Sequence, residues 1–214
     1  MKKIFTGILA SIVIASAFTA CNDVEKENYL SYSSAGESGN QQDNNSNAET
    51  ADWSTLTFGI DSVFYTPEFN FKDLTDIGWS FDPSAYGLED CTLTPELRLS
   101  CDIYLNHEGV DTGVLAVGFA NTGSEDASLD NCQIWAVRVD IKDKTNYPQF
   151  AIPGNISWNA SDADIKAALG EPIESNRDDS QECTELIYKK EDKYIVHYYV
   201  FDNGGMMKFW IEKF

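Results

Sequence analysis

The segment from Ser161 to Phe214 constrains the fold most, because its punctuation leaves little choice of element order. Ser161-Asp162-Ala163-Asp164 places a hydroxyl at a helix N-cap and an acid three residues on, so each side chain can satisfy the other's backbone N–H. Ile165, Ala168 and Leu169 then recur at i, i+3 and i+4, one apolar face of a short helix. Gly170 stands where a left-handed terminal residue belongs, and Pro172 prevents continuation. Three strands are predicted to follow. Thr184 to Lys190 is the first, and Glu191-Asp192 turns tightly into the second, Lys193 to Phe201. Asp202-Asn203-Gly204-Gly205 is a hairpin signal leading into Met206 to Phe214. In that last strand Met207, Phe209 and Ile211 alternate with Lys208 and Glu212, which predicts one core face and leaves Trp210 pointing the other way. The unit is a helix followed by an antiparallel meander.

The upstream half repeats this order faintly. Asn70 can cap a short helix containing Phe71, Leu74 and Ile77, which Gly78-Trp79 ends. Leu97 to Leu105 alternates, with Arg98, Ser100, Asp102 and Tyr104 on the opposite face; Gly113 to Ala120 is a second strand. Cys132 to Ile141 is a third, with Trp135, Val137, Val139 and Ile141 on one face. The loop Asn121 to Asn131 between them is acidic and polar. The expectation is an α+β fold, a short helix packed on an antiparallel β-meander, in two tandem helix-plus-meander repeats over residues 53–150 and 151–214.

Ile156-Ser157-Trp158-Asn159-Ala160-Ser161, Asp164-Ile165, Leu169-Gly170-Glu171-Pro172, Ile187-Tyr188 and the closing hairpin resemble the small-lipoprotein fold of outer-membrane assembly factors. The layout is also similar to the tandem domains of β-lactamase-inhibitor proteins. Trp158-Asn159 stands where those families usually carry Gly before the helix. The matching residues specify a cap, a helix stop and a turn, so they speak to the fold. The resemblance implies a non-enzymatic protein that works by protein–protein contact. It carries over no individual binding residue, because those lie outside the shared motif.

The start of the chain reads as an export signal. Lys2 and Lys3 precede an apolar run from Ile4 to Ala17, too short to span a bilayer stably. Phe18-Thr19-Ala20-Cys21 resembles the lipobox of bacterial lipoproteins, with Phe18 where Leu is usual. The resemblance implies a signal peptide over residues 1–20, cleavage before Cys21 and acylation of its thiol. Two or more acyl chains would then hold the protein to the outer side of a membrane. Residues 21–52 form a linker, and Ser33 to Asp52 is almost wholly small and polar, unable to bury enough apolar surface to order itself. A flexible chain of this length spans roughly 30 Å. Without Lys2 and Lys3 there remain 13 basic residues against 35 acids, a charge of −22. With no basic patch to displace counterions, nucleic acid is excluded as a partner.

Candidate chemistry is sparse. Cys91, Cys101, Cys132 and Cys183 allow three full pairings in an oxidising compartment. Cys91 and Cys101 are close enough in sequence to close a short disulfide loop, yet Cys101 also alternates with Leu97, Leu99, Ile103 and Leu105 as a core residue would. No cysteine spacing suits zinc, and no glycine-rich phosphate or dinucleotide loop occurs, so no cofactor is expected. His107, in Asn-His-Glu-Gly, reads as a turn residue, and no Gly-x-Ser-x-Gly accompanies it or His197. Glu125-Asp126 with Asp130-Asn131, and Asp178-Asp179 with Glu182, are loose calcium candidates that read more simply as solvated loops.

The aromatic residues of the last two strands are the better clue. Trp210 sits between Lys208 and Glu212, and Tyr199 and His197 alternate on the neighbouring strand. Trp210, Tyr199 and His197 are therefore the candidate contacts on the sheet face away from the helix. The functional expectation is a lipid-anchored, extracytoplasmic, non-catalytic protein that binds another envelope or extracellular protein. The alternative is an envelope hydrolase, or a small-ligand or carbohydrate binder, using acids and aromatics.

Overall fold

A computed structural model describes residues 51–100 and 102–214. Cys21, Cys101 and the residues assigned to the export signal lie outside the described residues, as does the linker up to residue 50. In chain order the elements are β1 (Phe58–Ile60), β2 (Val63–Tyr65), α1 (Phe71–Thr75), β3 (Thr92–Leu93), β4 (Ile103–Leu105), β5 (Leu115–Ala120), β6 (Ala127–Ser128), β7 (Gln133–Asp140), β8 (Phe150–Ala151), α2 (Asp162–Leu169), β9 (Glu174–Asp178), β10 (Cys183–Lys190), β11 (Tyr194–Phe201) and β12 (Gly205–Lys213). The described residues are mostly antiparallel sheet with few helices. A seven-stranded sheet runs β4-β5-β7-β12-β11-β10-β9, a three-stranded sheet runs β2-β1-β8, and β3 pairs with β6.

The C-terminal punctuation works as its residues dictate. Ser161 N–H donates to Asp164 Oδ2 at 2.9 Å, and Asp164 N–H donates back to Ser161 Oγ at 3.2 Å, which closes the capping box of α2. Ile165 is fully buried and Leu169 packs against the same core. Gly170 ends the helix at φ 86°, ψ −168°, a positive-φ conformation outside the left-handed helical well expected for it, and one that glycine adopts readily. Glu191 and Asp192 both take positive φ, 57° and 51°, and Lys193 N–H donates back to Lys190 O. Lys190 pairs with Tyr194, however, so the loop is three residues long, one more than the two-residue turn expected.

Bulges relocate several residues. In the β11–β12 ladder the register shifts between Tyr199, paired with Lys208, and Val200, paired with Met206. The extra residue, Met207, leaves the core face, and Met206 takes its place at full burial beside Phe209 and Ile211. A second shift, between Gly118 and Phe119 opposite β7, carries Trp135 off the face of Val137 and Val139. Its indole lies over Gly118, where a Cβ would come within 2.7 Å of Nε1, and donates to Leu99 O at 2.8 Å. The expected strand from Leu97 to Leu105 is broken. Arg98 pairs with Ala120 and Ile103 with Val117, two residues out of register, and Leu97 is 47% exposed rather than part of a core face. The first helix stops at Thr75, before Ile77, because Trp79 N–H turns back to Leu74 O.

One hydrophobic cluster joins both halves. The inner face of the large sheet supplies Leu115, Val117, Val137, Val139, Phe209, Ile211, Val196, Tyr198, Leu186 and Tyr188. Phe71 and Leu74 of α1, Ile165 of α2, and Phe58 and Ile60 of the small sheet pack into it. Phe209 is wholly buried, with the rings of Phe58 and Trp158 each 6.4 Å away. Tyr198 Oη donates to Pro153 O and Tyr188 Oη to Gly170 O, so these core tyrosines keep their hydroxyls paired. The ring contacts of β1 and α1 with the large sheet, Phe58 with Phe209 and Phe71 with Phe119, fall on this inner face. The small sheet comes from distant segments: β8 pairs with β1 across some ninety residues of chain.

Candidate functional site

Strand register dictates what the outer face of the large sheet carries. Ile187, His197, Trp210 and Arg138 stand opposite one another on β10, β11, β12 and β7, and Arg138 in turn faces Ala116, which faces Tyr104. The adjacent row is Glu185, Tyr199, Lys208 and Asp140. Glu212, between Ile195 and Ala136, flanks the first row on its other side. Side chains alternate along a strand, so all of these share the face opposite Leu186, Tyr198, Phe209 and Val139.

The three sequence-predicted contacts are brought together. His197 stacks on Trp210 with ring centroids 4.8 Å apart and planes 21° from parallel, and on Tyr199 at 6.3 Å and 11°. They are not freely exposed: His197 is 9% accessible, and Trp210 and Tyr199 are half-buried. His197 Nδ1 lies 2.9 Å from Glu185 Oε1. A carboxylate accepts only, so Nδ1 carries the proton. Nε2 has no hydrogen-bond partner and sits 3.7 Å from Glu212 Oε1; Trp210 Nε1 is likewise buried without a partner. Burial raises the Glu185 carboxyl, but hydrogen bonds from Tyr199 and His197 outweigh this and hold it below the usual range. Burial and the same Glu185 bond push the Tyr199 phenol up.

Cations cap the rings of this face. Lys208 Nζ stands 4.5 Å over Tyr199, and Arg138 Cζ 5.3 Å from the Tyr104 ring. Arg138 also donates to Tyr104 Oη at 2.8 Å and to Asp102 Oδ1 at 3.0 Å. Farther along, Arg98 lies 5.2 Å over Trp135. Each such contact contributes about 0.5–1 kcal/mol where exposed. Together they set aromatic surface beside charge along this face.

Beside Trp135 a cleft of about 420 Å³ is lined by Glu68, Glu96, Arg98, Gln133 and Lys213 among others. Burial raises the Glu68 carboxyl, but bonds from Lys213, Tyr194 and Lys193 outweigh this and keep it lowered. His107 is structural in its contacts: its ring lies 5.1 Å from that of Trp79 and its Nε2 3.1 Å from Ile77 O. Cys91, Cys132 and Cys183 carry free thiols. Among the described residues no group of three metal-ligating side chains converges, and no helix is long and apolar enough to cross a membrane.

Sequence reasoning missed Glu185, Arg138 and Tyr104. Glu185 could not be placed from the expected two-residue turn, which would set it opposite Tyr198; the three-residue loop sets Lys190 opposite Tyr194 and hence Glu185 opposite Tyr199. Nor could Arg138 and Tyr104 be placed, because β7 meets β12 across some seventy residues with no local signal. No protein-family model matches this chain, and neither a curated protein nor a solved structure matches it.

Proposed function

We propose that this chain is a lipid-anchored extracytoplasmic protein that is non-catalytic and binds another envelope or extracellular protein through the outer face of the large sheet. The observation that carries the reading is the stacked row Tyr199–His197–Trp210, set among charges on the face opposite Phe209. Half-buried aromatics already held in place lose little entropy on docking, and such residues commonly anchor interfaces. The Cys21 lipobox and the polar linker support display at a membrane surface. We further propose that the fold is two α+β units, α1 with β4, β5 and β7, and α2 with β10, β11 and β12, whose last strands pair antiparallel. Tandem helix-plus-meander units are what the family resemblance implies.

The test places photo-crosslinking residues at Tyr104 and Lys208, on the outer face, and at Tyr147, an exposed residue outside it, in the membrane-bound protein. The same protein should be captured from Tyr104 and Lys208, not from Tyr147, and Trp210→Ala should abolish capture. Equal capture from Tyr147, or capture indifferent to Trp210→Ala, would refute the reading. A second reading, binding of a small polar ligand such as a saccharide, draws on the cleft beside Trp135 with Glu96 and Arg98 on its walls. It predicts saccharide-dependent tryptophan fluorescence that Trp135→Phe removes.

A further inference from the structure

Cys91, just before β3, and Cys132, one turn after β6, stand at the same end of the β3–β6 pair. Thr92 pairs with Ser128 and Leu93 with Ala127. Cys91 immediately precedes this ladder and Leu129 immediately follows it, and Cys91, Ser128 and Leu129 line one cleft. Leu129 opens a one-turn 3-10 helix, and Cys132 closes it with its N–H bonded to Leu129 O at 3.0 Å. Such an i to i+3 turn keeps the Cα atoms within about 7 Å. Cys132 Sγ is directed back toward the strand pair, 3.3 Å from Ser128 O. By strand alternation Cys91 shares the side of Leu93, and Cys91 packs against the cluster that contains both Leu93 and Cys132.

The two thiols differ in access. Cys132 is 1% accessible. Cys91 is half-buried and lines a cleft of about 220 Å³ that also contains Phe81, Leu88, Glu89 and Leu129. A small disulfide can therefore reach Cys91 and not Cys132. Burial and the neighbouring Cys91 raise the Cys132 thiol, consistent with a group that reacts second.

We propose that Cys91 and Cys132 form an oxidant-responsive disulfide, with Cys91 meeting the oxidant and Cys132 resolving. The oxidant is a low-molecular-weight disulfide. The Cys91 thiolate attacks one of its sulfurs, forming a mixed disulfide and expelling one thiolate. The Cys132 thiolate attacks the Cys91 sulfur and expels the second. The protein pair gives up two electrons and two protons, and the oxidant leaves as two thiols. The export reading bears only on where such an oxidant is met; the chemistry belongs to the folded protein.

The test incubates the purified full-length protein with oxidised glutathione, then blocks thiols and maps linked peptides by mass spectrometry without reduction. One linked pair, Cys91–Cys132, is expected, persisting in Cys101→Ser and in Cys183→Ser and lost in Cys91→Ser and Cys132→Ser. Cys91→Ser is the safer variant, since Cys91 is only half-buried, and it should leave Cys132 unlinked while the melting temperature of the reduced protein is preserved. Glutathione should accumulate on Cys91 when Cys132 is replaced. A Cys91–Cys101 link in the folded protein, or full alkylation of Cys91 and Cys132 after oxidation, would overturn the proposal. Neither result bears on the docking face, which lies elsewhere.

Discussion

Phe209 and Trp210 are consecutive on β12 and point to opposite faces, so replacing each by alanine separates the inner layer from the outer. Phe209 is wholly buried, paired with Tyr198 and Val139 across its two neighbouring strands and flanked by Phe58 and Trp158. Truncating such a ring removes its transfer free energy and leaves a cavity that two sheets cannot both collapse into, a cost of about 3–5 kcal/mol. Trp210 is half-buried, its named ring contact is the stack on His197, and its indole N–H makes no bond that truncation would break. Its loss forfeits one stacking interaction and part of a ring's burial, together about 1–2 kcal/mol. Urea unfolding followed by far-ultraviolet circular dichroism measures both without relying on tryptophan emission, and the slope against urea should be unchanged in each variant. If Trp210→Ala costs as much as Phe209→Ala, the outer row is core and the docking reading falls with it. If Phe209→Ala costs under about 1.5 kcal/mol, the inner layer is not where the packing places it.

Three further outcomes are expected. Ser161→Ala removes half of the capping box on α2 and should lower stability by about 1 kcal/mol in the same urea assay; no change would mean the box is idle. The Asp111 carboxyl is pushed down to about 2 by the Thr145 and Asn146 backbone N–H groups that it accepts from at 2.7 and 3.1 Å. Its folded-state value lies below the unfolded one, so its contribution is present above about pH 4 and is lost as pH falls toward 2. The Thr145 and Asn146 amide resonances should titrate in that window and cease to do so in Asp111→Asn. Cys21→Ser should release the protein from membranes or block its maturation, and normal processing with full membrane retention would refute lipidation.

The legible parts of the fold were those written in local punctuation. The cap at Ser161, the stop at Gly170 and the two hairpins depend on residues a few positions apart, and α2, β10, β11 and β12 lie within a residue or so of their expected bounds. The strand β9 escaped because Glu174-Ser175-Asn176-Arg177-Asp178 is exposed on both faces and so carries no apolar alternation. The small sheet escaped because strands of two or three residues leave too short a pattern to read. Trp135 and Met207 were assigned the wrong face for one reason: a bulge inverts the alternation, and nothing in an unbulged count announces it. For the outer row, sequence alternation placed Trp210, Tyr199 and His197 on one side, but their stacking and partial burial needed the β11–β12 register.

The position of β12 bears on how the molecule can form at all. It is the last strand in chain order, yet it lies in the middle of the large sheet, hydrogen-bonded to β7 on one side and β11 on the other. Until Lys213 has been synthesised, β7 and β11 each present an unpaired edge, and the two halves have no shared ladder. The contacts that weld them span some seventy residues, and such non-local pairings close late. A chain stalled before Gly205 should therefore remain open to protease and to a translocation channel, and compact only when the final nine-residue strand arrives. Limited proteolysis of stalled chains of increasing length reads this directly: resistance should appear in one step, once β12 is free to insert.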